Sequence, residues 1–184
     1  MTRTRCDLTE NLLGALVLEV NDRMAARVAD AAGLGANGPA ALVLLDQERQ
    51  LSIGQLAALL RITHPAAVQL VDRLVGHGFV DRRPGPDARV RLVRLTAAGR
   101  RAASAVLAER AHVVHDVLAV LKPEERSTLG AVLARLLSSM TTDPASADHL
   151  CRLCDVAVCT NQLCPVEAAV AEQRGEPVHR GDVR

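Results

Sequence analysis

The 184 residues carry 22 basic and 21 acidic side chains, a formal net charge of +1, so attraction to an anionic partner has to come from a local patch. Apolar residues make up 49% of the chain but include a single phenylalanine, Phe79, and neither tyrosine nor tryptophan; this implies an aliphatic, helical core and excludes a single-strand binder that stacks bases on aromatic rings. The longest early apolar run, Leu12 to Leu18, is too short for a bilayer span and badly flanked for a signal peptide, so a cytoplasmic protein without a membrane partner is expected.

In chain order, Leu13, Val17, Val20, Met24 and Val28 recur at helical spacing and predict an amphipathic first helix, ended by "GLGANGP". A short apolar helix follows, from about Pro39 to Asp46. In "SIGQ" Ser52 has the form of a cap with Gln55 reaching back to it, predicting a third helix from Ile53 to about Arg61. After a tight turn Thr63 caps a fourth helix, with Pro65 in the first turn where its missing N–H is harmless. Ala67, Leu70, Val71 and Leu74 share one face of it and are assigned to the core; Pro65, Val68, Gln69, Asp72 and Arg73 lie opposite, open to a partner.

Gly76 and Gly78 close that helix, and "FVDRR", "PGPDA" and "RVRLVRLT" read as two strands around a turn, an arginine-bearing hairpin. Thr96 caps a long helix to about Leu121, whose two apolar stripes predict cover by a partner subunit. Pro123 opens another, with Leu129, Val132, Leu133, Leu136 and Met140 on its buried side. "SSMTTDPASAD" reads as a polar linker, dividing the chain into a domain over 1–142 and a linker with a cysteine-rich appendage over 143–184, whose last residues look frayed.

Helix, tight turn, helix and basic hairpin make a mainly α fold with a small β-wing, a winged helix-turn-helix. From Arg61 to Arg101 nine arginines face three aspartates, a local excess that a duplex backbone would attract. The stretch "LSIGQLAALLRITHPAAVQLVDRLVGHGFVDRRPGPDARVRLVRLTAAGRR" resembles the core of the MarR family of bacterial transcription regulators, most clearly in "LVDRL" (70–74), in the 78–83 segment and in Asp87-x-Arg89 leading to "VRLT". The resemblance extends more weakly from about residue 8 to 142.

It implies a homodimer joined through its first and last helices, two recognition helices reading a pseudo-palindrome in double-stranded DNA, and repression relieved by a small-molecule or redox effector. It also implies a wing arginine, here Arg89, that enters the minor groove and is held by Asp87. The recognition face departs from the family's usual hydroxyl and basic residues in carrying Ala66, Val68 and Gln69. Gln69 suits a bidentate contact to adenine and Val68 a thymine methyl, which predicts a half-site that prefers A·T pairs. His64, Arg73, Arg82, Arg83 and Arg91 complete the expected DNA-binding set. The alternative is a winged-helix protein-interaction module that does not read DNA; so many wing arginines are unneeded in it.

Four of five cysteines stand in "CRLCDVAVCTNQLC", as C-x2-C-x4-C-x4-C over Cys151, Cys154, Cys159 and Cys164. On a continuous helix they would point at about 0, 300, 80 and 220 degrees, all round the axis, so they converge only if the segment is looped. Four thiolates on Zn²⁺ supply a reason to loop; an iron-sulfur cluster, a reversible dithiol and unligated cysteines are the alternatives. The spacing resembles that of a zinc knuckle with Cys159 in place of its histidine, without the knuckle's glycines and aromatics. Cys6 is distant and read as incidental, and His112 with His115 as a solvated helix face. No nucleophile stands beside a base and no carboxylate pair is spaced for acid–base work, so an enzyme is not expected.

Overall fold

Helix α2 (Gly38–Gln47) is the centre of the fold, with every residue from Gly38 to Leu45 buried. A helix apolar all round needs neighbours all round. They are α1 (Leu8–Ala32), α3 (Ile53–Leu60), α5 (Ala97–Leu118) and strand β3 (Arg91–Leu95). The structure, a computed structural model, describes residues 7–32, 34–35, 37–85, 90–159 and 164–175. Among the described residues no helix is long and apolar enough to cross a membrane.

The helix-turn-helix forms where the caps predict it. The Ser52 hydroxyl accepts from the Gln55 N–H at 3.2 Å while the Gln55 side chain accepts from the Ser52 N–H at 2.8 Å, so two orphan donors of α3 are satisfied reciprocally. Replacing Ser52 with alanine is expected to lower stability by about 1 kcal/mol in urea unfolding, with the slope unchanged. Arg61 ends α3 in the left-handed region at φ 53°, and Thr63 caps α4 (His64–Gly76) by accepting from the Ala66 N–H. Ala67, Leu70, Val71 and Leu74 are buried, as the periodicity requires.

Gly78, at φ +70°, turns the chain from α4 into β2 (Val80–Pro84). Strands β2 and β3 pair antiparallel from Val80↔Leu95 to Pro84↔Arg91. A two-residue strand, β1 (Leu51–Ser52), joins the other side of β3, giving the order β1-β3-β2; this strand is too short to show an alternation and was not expected. Thr96 then caps α5, its hydroxyl accepting from the Gly99 N–H at 3.1 Å and donating to the Gly78 carbonyl at 2.7 Å.

The C-terminal half departs from expectation in two ways. Helix α6 (Pro123–Met140) has no buried residue: Val132, Leu133, Leu136 and Met140 are exposed and Leu129 is half-buried, because among the described residues its main neighbour is α9 (Pro165–Arg174). Part of the expected linker is helix, α7 (Pro144–Cys151), since Asp143 and Ser146 form a reciprocal cap. The Ser146 N–H and the Thr142 hydroxyl hold the Asp143 carboxyl below its usual pKa. A single turn, α8 (Val156–Cys159), separates α7 from α9.

Candidate nucleic-acid interface and cysteine cluster

The exposed side of α4 presents His64, Gln69, Asp72 and Arg73, with Ala66 and Val68 half-buried beside them. Strand β2 runs past this helix, and Arg82 donates to the Asp72 carboxylate at 2.5 Å. Asp72 therefore belongs to a bridge between the second helix of the helix-turn-helix and the base of the wing. Arg83 and Arg94 both approach Asp81, at 3.7 and 4.0 Å, and Arg91 is exposed. Asp87 and Arg89 lie outside the described residues.

Each of these arginines keeps a large part of its side chain in water, so the ion pairs orient guanidinium groups without adding much stability. Gln69 is thus exposed on a helix whose Asp72 holds Arg82 of β2, while Asp81, Arg83 and Arg94 alternate to the other face of the same sheet. Arg94, absent from the expected site although it lies within "VRLT", is drawn to the hairpin by Asp81. Behind the sheet, Asp46, Arg49, Asp81, Arg94 and Arg100 line a cleft between α2, the hairpin and the start of α5. His112 and His115 are both exposed, and His112 lies 3.9 Å from Glu109.

The four clustered cysteines stand at helix ends: Cys151 closes α7, Cys154 follows it, Cys159 closes α8 and Cys164 is the residue before α9. All are half-buried and free of disulfides. The Cys151 thiol donates to the sulfurs of Cys154 and Cys164, which raises its own pKa. Cys164, held by that bond and by the N–H groups of Glu167 and Val166, falls to about 5. Cys154, held by Cys151 and by the charges of Arg110 and Arg152, falls to about 7. Burial and the neighbouring Cys164 push Cys159 up to about 11. Among the described residues no three histidine, cysteine, aspartate or glutamate side chains form a group that could hold a metal ion.

The cluster rests on the helix-turn-helix lobe. Gln47 at the end of α2 donates to the Cys154 carbonyl at 2.8 Å, the His149 ring meets the Leu59 carbonyl of α3 at 3.2 Å, and Leu153 packs on the core. On its other side, Ser138 of α6 donates to the Pro165 carbonyl at 3.1 Å.

Comparison with known proteins agrees with this architecture. A sequence profile described as "MarR family" matches residues 36–89. No curated protein matches. Among solved structures, a probable transcriptional regulator from Pseudomonas aeruginosa is 33% identical, over 70% of this chain and 98% of that one, with a TM-score of 0.53. Wild-type apo MarR from E. coli is 25% identical, over 68% and 96%, with a TM-score of 0.58. A cysteine-to-serine mutant of MarR complexed with operator DNA is 24% identical, over 72% and 99%, with a TM-score of 0.54. With its elements in that order and a 33% identical relative covered almost end to end, the chain belongs to the MarR family.

Proposed function

We propose that this protein is a sequence-specific regulator of transcription that binds double-stranded DNA as a homodimer, with α4 in the major groove and the hairpin along the adjacent backbone. The carrying observation is the Asp72–Arg82 bridge, which ties an exposed helix face bearing Gln69 to an arginine-rich wing. A structural relative complexed with operator DNA supports the same reading. In this reading two copies of α4 read a pseudo-palindromic operator, usually to repress, and Gln69 favours A·T pairs.

The test is operator selection from genomic fragments, followed by binding at several salt concentrations. Duplex affinity is expected to fall steeply with salt. Arg83→Gln and Arg91→Gln are each expected to weaken all duplexes alike and to lower the salt slope by about 1. Gln69→Ala is expected to cost about 1–3 kcal/mol on the preferred operator and to relax choice at one base pair per half-site. Salt-independent or absent duplex binding by the wild type would assign the surface to a protein partner instead.

A further inference from the structure

Helix α6 carries an exposed apolar face, and its main neighbour among the described residues is α9. Both ends of α9 are tied to it: Ser138 donates to the Pro165 carbonyl at 3.1 Å, and Gln173 donates to the Thr141 carbonyl at 2.6 Å. Helix α9 packs in turn on α7, with Val166 and Ala169 of the one and Ala147 of the other buried. Helix α7 packs on α3. The Gln47 bond to the Cys154 carbonyl and the seating of Leu153 on the core hold the end of α7 to the same lobe. A continuous route of packed and hydrogen-bonded helices therefore runs from α6 through α9 and α7 to the helix-turn-helix.

The route ends at a sensitive place. Leu59 lies in the last turn of α3, where carbonyls have no partner within the helix. The N–H groups of Arg61 and Ile62 go back to Ala58 and Ala57, which leaves the Leu59 carbonyl to the His149 ring at 3.2 Å. A carbonyl only accepts, so His149 Nδ1 carries the proton. His149 thus caps α3 just before the turn that sets α4 against it. The other link between lobe and α6 is α5, 22 residues and roughly 33 Å long. A single link is a lever that can swing, whereas two links fix an angle.

We infer that α7 and α9 form a brace that fixes the recognition helix α4 in distance and angle relative to α6, with His149 and Gln47 as its positioning residues, and so sets the half-site spacing that the dimer accepts. The spacing role rests on the proposed dimeric DNA binding; the brace itself does not. Recognition helices held rigidly fit one spacing, because each base pair inserted between half-sites moves them apart by about 3.4 Å and turns them by about 34°.

The brace is read on the full chain without DNA, as the distance between spin labels carried by unnatural amino acids at His64 of α4 and Gly130 of α6, both exposed, in labelled chains diluted with unlabelled ones. The wild type is expected to give one narrow distribution, and Gln47→Leu combined with His149→Ala to widen it at least about twofold. His149→Asn keeps a donor where Nδ1 stood and is expected to stay as narrow as the wild type. The far-UV circular dichroism of the double variant is expected to match the wild type, so that widening reports a loosened tie. A narrow distribution in the folded double variant would overturn the brace. On the selected operator, one inserted base pair is expected to weaken wild-type binding at least about tenfold and binding by the unlabelled double variant less than about threefold, with affinity for an isolated half-site unchanged. Equal discrimination by the two proteins would overturn the spacing role. Absence of duplex binding by the wild type would overturn the proposed function and the spacing role with it, while the label distances decide the brace on their own.

Discussion

Gly99→Ala is expected to destabilise the protein by about 3 kcal/mol, lowering the thermal midpoint by roughly 6–12 °C, although a helical glycine is ordinarily improved by alanine. Gly99 lies in the first turn of α5, where that helix crosses the entry to the wing. A Cβ there would fall within contact distance of the Phe79 carbonyl oxygen and 2.9 Å from its carbon, both backbone atoms. Neither side is free to yield. The Phe79 carbonyl already accepts from the Thr96 N–H at 2.9 Å, and the Thr96 hydroxyl binds Gly78 and caps α5. Room for one methyl therefore requires moving the helix cap, the turn and the first residue of β2 together. Gly130, within α6 and with nothing in range of an added Cβ, is the control: Gly130→Ala is expected to gain about 0.5–1 kcal/mol. Calorimetry on both variants reads the sign; a stabilised Gly99→Ala would show that the crossing is looser than described.

Leu133→Arg combined with Leu136→Arg is expected to convert the proposed dimer into monomers and to weaken the proposed operator binding by at least about 100-fold. Both leucines are more than 40% exposed within one chain, as are Leu12, Leu13, Leu16 and Val17 of α1. Apolar stripes of this extent on two helices are far more than a monomer leaves in water. Because both leucines are largely exposed within one chain, arginine there is expected to change monomer stability far less than it changes association, by about 0.5–1 kcal/mol. The loss of DNA binding then reflects the loss of a second, linked half-site. Sedimentation velocity at micromolar protein reads the mass directly, and a double variant that remains dimeric would move the interface to another face.

The same stripe shows where sequence reading succeeds and where it stops. Leu129, Val132, Leu133, Leu136 and Met140 were assigned to a buried side, and periodicity does find the side; it cannot tell burial within one chain from burial against a second. The helix-turn-helix was legible almost to the residue because its limits are set by local chemistry, the Ser52–Gln55 box and the Thr63 cap. Strand β1 was not, since two residues held in place by β3 have no local signature. The α7 and α9 helices are hidden in the sequence because Pro144 and Pro165, which look like breaks in the chain, each open a helix. For the cysteines, the angular argument anticipated a loop, but the partners on α2, α3 and α5 are 40 or more positions away and share no pattern with them.

The three-stranded sheet has consequences for association. An open sheet offers two unpaired edges, and each invites another chain to add a strand. Here one edge is β1, only two residues long, and the other is β2, which carries Asp81, Arg82, Arg83 and Pro84. A strand too brief to template another and a strand fenced by charges and a proline leave little for edge-to-edge growth. The arginines proposed to meet phosphate thus also guard the molecule against aggregating through its wing, which is why glutamine, still polar, is the right replacement there. The proposed pairing of two copies through helices uses a face away from the guarded strands.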